Sequence, residues 1–321
     1  MKAFYLSAIC LAISSASGFS WGEEGHQAIA DAAFSRLNPA AQKAVSDILD
    51  ESVINEISDL HSAATWPDNI RQSKHPGKFV RTKAGKSFNK RFSGNKDWHF
   101  VDYPLDGDYN RDTQFSSARD VVHMINNCVL VLETKPATGF AKMKQEEALA
   151  WLIHLVGDIH QPLHVGVGFY NFEGSDAVLI TDPALASGKF TDIGGNSLHF
   201  GHSGVFHSFW DVDMVKFVSS KEAILVGGIT NQIAAAHFKN TGDHHHWAEA
   251  WATDTIKEAK KAYAGVTTAH AFGQRETADS DIIDITLTTS AYKTKLADVV
   301  RRQLAKAAFD LADLLNNVNW P

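Results

Sequence analysis

The stretch from Trp151 to Val165, WLIHLVGDIHQPLHV, decides how this chain is read. Leu152, Leu155, Val156 and Ile159 recur at three- and four-residue steps, the period of a helix continuing from the acidic start Gln145-Glu146-Glu147. His154 and Asp158 then stand one turn apart on one face. Pro162 has no amide hydrogen and ends that helix, so His164 arrives from the following turn at a different angle. Singly, each of these residues reads as a core side chain satisfying one hydrogen bond. Together, two imidazoles and a carboxylate form an N/O donor set of the kind that holds zinc.

Length and composition bound the rest. The chain has 321 residues, 44% of them hydrophobic, enough for an ample core. Lys2, the apolar run 3–13 and the small-residue stretch ending Gly18-Phe19-Ser20 read as a secretory signal peptide cut after Ser20. The expected organisation is 1–20 signal and 21–321 one large domain or two small ones, secreted or periplasmic, monomeric and not bound to a membrane. Cys10 falls in the leader, which leaves Cys128 as a core residue without a disulfide partner. The formal charge of -7 becomes -8 without Lys2, a balance that repels polyanions at long range. Three divalent ions would bring it to about -2.

Helices are expected over 25–37, 38–49, 51–60, 116–134, 142–160, 221–238, 246–263 and 291–315, with Pro67 opening a separate turn that carries Asp68 and Arg71. From 72 to 97, Lys74, Lys78, Arg81, Lys83, Lys86, Lys90, Arg91 and Lys96 face a single acid, Asp97. Phe79, Phe88 and Phe92 are interleaved among them, which reads as a basic loop for a phosphodiester backbone with aromatic faces for bases. His99 is a further ligand candidate, with Phe100 and Asp102 beside it in an extended segment. The region 166–190 reads as an inserted loop or hairpin with a short strand near 177–181, followed by the turn Asp192-Ile193-Gly194-Gly195-Asn196. His207 and Asp211 repeat the His-x3-Asp spacing on another helix. The run His244-His245-His246 reads as a solvated helix start, because adjacent helical residues diverge. His160, His199 and His202 lack partners at ligand spacing.

These segments carry a resemblance. Trp21-Gly22-x-x-Gly25-His26, Trp66-Pro67-Asp68-x-Ile70-Arg71, Trp98-His99-Phe100-Val101-Asp102, His154 to His164, Asp192-x-Gly194-Gly195-Asn196 and His207-Ser208-x-Trp210-Asp211 resemble the S1/P1 nuclease family, in order, over nearly the whole mature chain. The resemblance implies an all-α, mainly helical fold with short hairpin or loop insertions, related to zinc phospholipase C. It also implies that 21–321 is a single catalytic domain with three Zn2+ ions per chain. One would be held by Asp68, His99, His154 and Asp158, and a second by the Trp21 amino nitrogen and carbonyl, His26 and a shared Asp158. The third would take His164, His207 and Asp211. The substrates implied are single-stranded DNA and RNA, cut to 5'-mononucleotides, and nucleotides that lose a 3'-phosphate.

The resemblance also implies chemistry. A hydroxide shared by two zinc ions and oriented by Asp68 would attack phosphorus in line, with Arg71 stabilising the charge that develops. Phe100 and Asp102 would hold the base, and Lys74, Lys78 and Arg81 the strand. The segments 69–98 and 165–191 are longer than the family leads one to expect, and Asp310 stands where its C-terminal pattern has arginine. The rival reading is a phospholipase C-type zinc phosphodiesterase. Asp211 in place of glutamate, the Trp-Pro-Asp-x-Ile-Arg segment and the basic run favour the nuclease.

Overall fold

A computed structural model of the chain describes residues 21–71, 77–173, 176–200, 204–219, 221–271 and 282–321. The expected signal 1–20, Lys74 and His202 lie outside them. The architecture is organised around α6 (Gln145–Ile159), whose residues from Glu147 to Ile159 are all buried. A helix apolar on every side must be wrapped on every side. Around it pack α1 (Gly22–Phe34), α2 (Pro39–Asp50), α3 (Leu60–Asn69), α5 (Val121–Leu132), α11 (Trp247–Tyr263) and the long α12 (Thr289–Asn317). α10 (Glu222–Ala236) lies against α1 and α12, and α4 (Lys83–Arg91) covers the N-terminal half of α6.

The strands are short. β1 (Tyr103–Pro104) pairs in parallel with β2 (Gly166–Val167), joining the segment after His99 to the segment after His164. The expected insertion at 166–190 is a three-stranded antiparallel sheet in the order β4-β3-β5, built from β3 (Phe169–Glu173), β4 (Asp176–Ile180) and β5 (Phe190–Thr191). The single-turn α7 (Pro183–Ala186) lies between β4 and β5. A second sheet, β7-β6-β9-β8, uses β6 (Leu198–Phe200), β7 (Gly204–Val205), β8 (Thr267–Ala271) and β9 (Ile282–Thr286). From β7 the chain runs directly into α8 (Phe206–Ser208), a π-helical turn Phe209–Met214 and α9 (Val215–Val218). The mainly helical class is as expected. Among the described residues no helix is long and apolar enough to cross a membrane.

Several local expectations need correction. The helix expected at 51–60 is absent, and that segment forms turns. Ile54 and Ile57 are buried at helical spacing, but the Ser52 hydroxyl takes the Ile54 amide and the amides of Ser58 and Asp59 are held by the Ser62 hydroxyl. The helix begins only after Asp59, whose carboxylate caps Ser62 N at 2.7 Å. Pro67 therefore lies inside α3 and opens nothing. Its missing amide removes the helical bond to the Ala63 carbonyl, two residues before the helix ends. The helix expected from 116 starts at Val121, because Asp120 supplies the cap to His123 N at 3.0 Å.

The basic segment is corrected most. From Lys83 to Arg91 it is a helix, and Phe88 and Phe92 are core residues, unavailable to bases. Phe88 stacks on Trp151 with centroids 5.7 Å apart, while Trp98 meets Trp151 edge-on at 4.7 Å. Arg91 is spent on Glu147, at 3.0 Å between Nη1 and Oε2. Counting charges concealed the apolar period Phe88-x-x-x-Phe92, which is one helical turn. We expect Phe88→Ala to cost about 3–5 kcal/mol of folding free energy, read as a lowered midpoint in thermal or urea unfolding. Lys86→Ala, on the exposed face, should leave the midpoint in place. A destabilisation of similar size in both would remove Phe88 from the core account.

Candidate metal centre

Six segments of the chain bring the donor residues together. α3 carries Asp68 near its C-terminus, and Arg71 follows just past the helix end with its amide on the Asp68 carbonyl at 3.1 Å. α6 presents His154 and Asp158 on one face, and His164 closes the 3₁₀ turn that Pro162 begins. His99 lies in the loop before β1, and its carbonyl holds His164 Nδ1 at 2.8 Å. His207 and Asp211 span the junction of α8 and the π-helical turn. Trp21 and His26 lie at the start of α1, both buried.

The side chains fall into three groups, Asp68-His99-His154, His26-His154-Asp158 and His164-His207-Asp211, with donor atoms in each within 4.8 Å of one another. Asp158 lies between them. Its Oδ2 is 2.9 Å from His99 Nδ1 and 3.3 Å from His154 Nε2, while its Oδ1 is 3.4 Å from His26 Nε2 and 4.0 Å from His164 Nδ1. Asp68 Oδ1 is 3.8 Å from His99 Nδ1 and 3.7 Å from His154 Nε2. His207 Nε2 is 3.3 Å from Asp211 Oδ2, and the His164 and His207 rings stack at 5.0 Å.

These spacings fit a shared cation. Ligand atoms on one tetrahedral zinc, with bonds of about 2.0–2.1 Å, stand roughly 3.3 Å apart, longer than a hydrogen bond. His154 Nδ1 is tied to the Ala64 carbonyl at 2.8 Å, His164 Nδ1 to the His99 carbonyl at 2.8 Å and His207 Nδ1 to the Gly194 carbonyl at 2.7 Å. A proton placed on each Nδ1 leaves a lone pair on each Nε2, the arrangement metal-ligating histidines use. Asp68 Oδ1, Asp158 Oδ1, Asp211 Oδ2 and His164 Nε2 are buried without a hydrogen bond among the described residues. Each would otherwise cost about 1–3 kcal/mol or more. His160 makes the contrast. Its Nε2 meets Asp310 Oδ2 at 2.9 Å and its Nδ1 the Val156 carbonyl at 2.8 Å, so both nitrogens are used in hydrogen bonding. Asp310, at the departure from the family pattern, serves that structural pair.

The protein's own charges leave the cluster electrostatically incomplete. Burial pushes Asp68 up to about 6, against the pull of His154, and pushes Asp211 well above the carboxylate range. Burial alone would raise Asp158 too, but the His154 charge and hydrogen bonds from His154, His26 and His99 hold it well below. Burial lowers His99 to about 3 and His207 to about 4, and His164 falls well below the imidazole range, so these rings stay neutral and able to coordinate. His154 goes the other way: burial lowers it, but Asp158 and Asp68 outweigh that and carry it to about 9.

Trp21 is fully buried in the left-handed region at φ 47°, and its indole Nε1 donates to the Gly157 carbonyl at 2.9 Å. A side chain on Gly157 would meet His26 Nδ1 at 2.7 Å, which accounts for glycine in the middle of α6. Gly22 lies against the Asp211 carbonyl, where an added Cβ would come within 3.3 Å, so the start of α1 threads between Gly157 and Asp211.

Beside the cluster opens a small cavity lined by Arg71, Phe100, Asp102, Leu163, His164, Ile193, Gly194, Asn196 and His207. The positive charge of Arg71 acts on Asp68, His99, His207 and Asp211. Burial, with a smaller contribution from Asp97, pushes the Asp102 carboxyl up to about 6. Lys78 and Arg81 are exposed. They follow Gly77, where an added Cβ would strike the Asp68 carbonyl at 2.5 Å, so their segment presses against the end of α3.

The supporting roles of Gln161 and Asp192 escaped the sequence reading. Gln161 Nε2 donates to Asp211 Oδ1 at 2.7 Å while its Oε1 takes the Leu163 amide at 2.6 Å. Buried Asp192 accepts from Gly195 N at 3.0 Å and Tyr263 OH at 3.1 Å, fixing the turn whose Gly194 carbonyl holds His207. Burial raises the Asp192 carboxyl to about 7. Only the tight Gly-Gly turn announced this shell.

The comparisons with known proteins agree with the geometry. The pattern of the family S1/P1 Nuclease matches residues 21–319. Endonuclease 2 of Arabidopsis thaliana is 27% identical over 313 residues, covering 93% of this chain and 90% of its own length. Nuclease S1 of Aspergillus oryzae is 26% identical over 260 residues, 78% of this chain and 73% of its own. Nuclease P1 of Penicillium citrinum is 25% identical over 319 residues, 93% and 98% respectively. With that match running from the buried Trp21 through every donor residue to the end of α12, the chain belongs to the S1/P1 nuclease family.

Proposed function

We propose that this hydrolase of phosphodiester bonds is an exported, zinc-dependent enzyme, monomeric and trimmed of residues 1–20. It cuts single-stranded DNA and RNA to 5'-mononucleotides and also removes 3'-phosphates from nucleotides. The observation that carries the reading is the contiguity of three buried donor groups with a cavity walled by Arg71, Phe100 and Asp102. Asp68, His99, His154 and Asp158 would hold one zinc, the Trp21 amino nitrogen and carbonyl with His26 and Asp158 a second, and His164, His207 and Asp211 a third. Imidazole-rich N/O sets favour zinc over the harder cations, which prefer all-oxygen cages. When bound, the ions supply Lewis acidity, bringing the pKa of water toward 7 and drawing charge from phosphate oxygens.

The chain's own residues do the rest. Asp68 orients the attacking water beside the cluster. Arg71 gathers the phosphoryl oxygens as their charge grows, a task for which its planar fork suits it better than a lysine. Phe100 offers its ring to the base next to the cut, and the Asp102 carboxyl meets that base's polar edge. Stacking accepts any base, so sequence preference is weak. A duplex keeps its bases stacked inward, so single strands are preferred. Lys78 and Arg81, with Lys74 before them, contact backbone phosphates of longer strands.

Three outcomes test this. Arg71→Ala should lower kcat on a dinucleotide by about 10²–10³ with a smaller change in KM; a raised KM at unchanged kcat would make Arg71 a ground-state binder. Dialysis against a chelator should abolish cleavage of single-stranded DNA, and zinc should restore it. Activity that survives complete metal removal, checked by elemental analysis, rules the proposal out. A form carrying one extra residue ahead of Trp21 should lose activity and about one metal equivalent, because the terminal nitrogen becomes an amide. Full metal content in that form would remove Trp21 from the ligand set.

A further inference from the structure

We propose a further divalent-cation site, separate from the centre described above, formed by Glu133, His244 and His245. Glu133 caps the C-terminal end of α5, and its side chain turns inward to 1% exposure. An anion there faces the negative end of the helix dipole out of water, a placement that demands positive or donor partners. One oxygen has them. Glu133 Oε1 accepts from the Asn319 amide at 3.1 Å and Asn319 Nδ2 at 2.8 Å, and faces His244 Nε2 at 3.1 Å. The other oxygen, Oε2, is buried without a hydrogen bond, with His245 Nε2 3.5 Å away.

The two imidazoles do not diverge as adjacent helical residues would. They sit in a 3₁₀ turn, His244–His246, which Asp243 caps by accepting the His245 amide at 3.1 Å. Their rings lie 4.1 Å apart and both present Nε2 to the same carboxylate, with all three donor atoms within 4.8 Å of one another. The spacings of 3.1 and 3.5 Å bracket the roughly 3.3 Å edge expected of ligands on one tetrahedral zinc. Two imidazoles and a carboxylate with solvent as the fourth ligand suit zinc or a neighbouring first-row dication, and the part-exposed rings leave a path to water. Burial works against the Glu133 anion, but the Asn319 and histidine contacts outweigh it and hold the carboxyl down to about 2. The exposed Lys135 ammonium, 3.5 Å from Oε2, is the present counter-charge. A bound ion would pin the end of α5, the start of α11 and the tail at Asn319 to one another.

The test counts metal in intact protein. Wild type and His244→Ala/His245→Ala are equilibrated with micromolar zinc, desalted and analysed for metal per chain, with unfolding midpoints measured alongside. The double variant should hold one equivalent fewer, lose the zinc-dependent part of the wild-type rise in midpoint, and cleave single-stranded DNA at the wild-type rate. Equal metal content in the two proteins overturns the site, whatever the total. Should the double variant fold poorly, His245→Asn, which keeps size and polarity, gives the same count. Because the readout is a difference between variants, it stands even if the number of ions at the other centre is not three.

Discussion

Five imidazoles and three carboxylates held out of water cannot neutralise one another, and that imbalance is the constraint on which the structure rests. Burial drives most of them toward their uncharged forms, while the pairs His154/Asp158 and His207/Asp211 are held at 3.3 Å, long for a hydrogen bond. A compact dication relieves both strains at once, since it replaces lost hydration and accepts lone pairs from several directions. The helices are arranged to hold this cluster rigid. Three of its five histidines, His154, His164 and His207, are locked by the carbonyls of Ala64, His99 and Gly194.

The same logic explains the glycines and the threading at the start of α1. Gly157 makes room for His26, and Gly22 lets the chain pass beside Asp211. Trp21 contributes its bulk to the core and its indole hydrogen to Gly157, so the residue proposed to coordinate through its backbone is held by its side chain. Positioning and chemistry are thereby divided between two parts of one residue.

Much of this was legible in the chain. The His-x3-Asp spacing occurs twice, at His154/Asp158 and His207/Asp211, and in both places the structure brings imidazole and carboxylate to 3.3 Å. The long helices were legible because their apolar periods run over several turns. What escaped has physical causes. Backbone carbonyls that fix a tautomer carry no residue signature, and Gln161 and Asp192 act through contacts across the fold. Phe88 and Phe92 were hidden by the lysines around them. The run His244-His245 does start a helix, but its contact with Glu133, 111 positions earlier, has no local signature.

The donor groups are gathered from residue 21 to residue 211, and the indole contact alone spans 136 positions. A fragment that ends before Asp211 lacks part of that constellation, so the proposed coordination would tie together segments far apart in the chain rather than seed a local turn. Such a centre would act as a clasp, closed only when the two ends of that span have met.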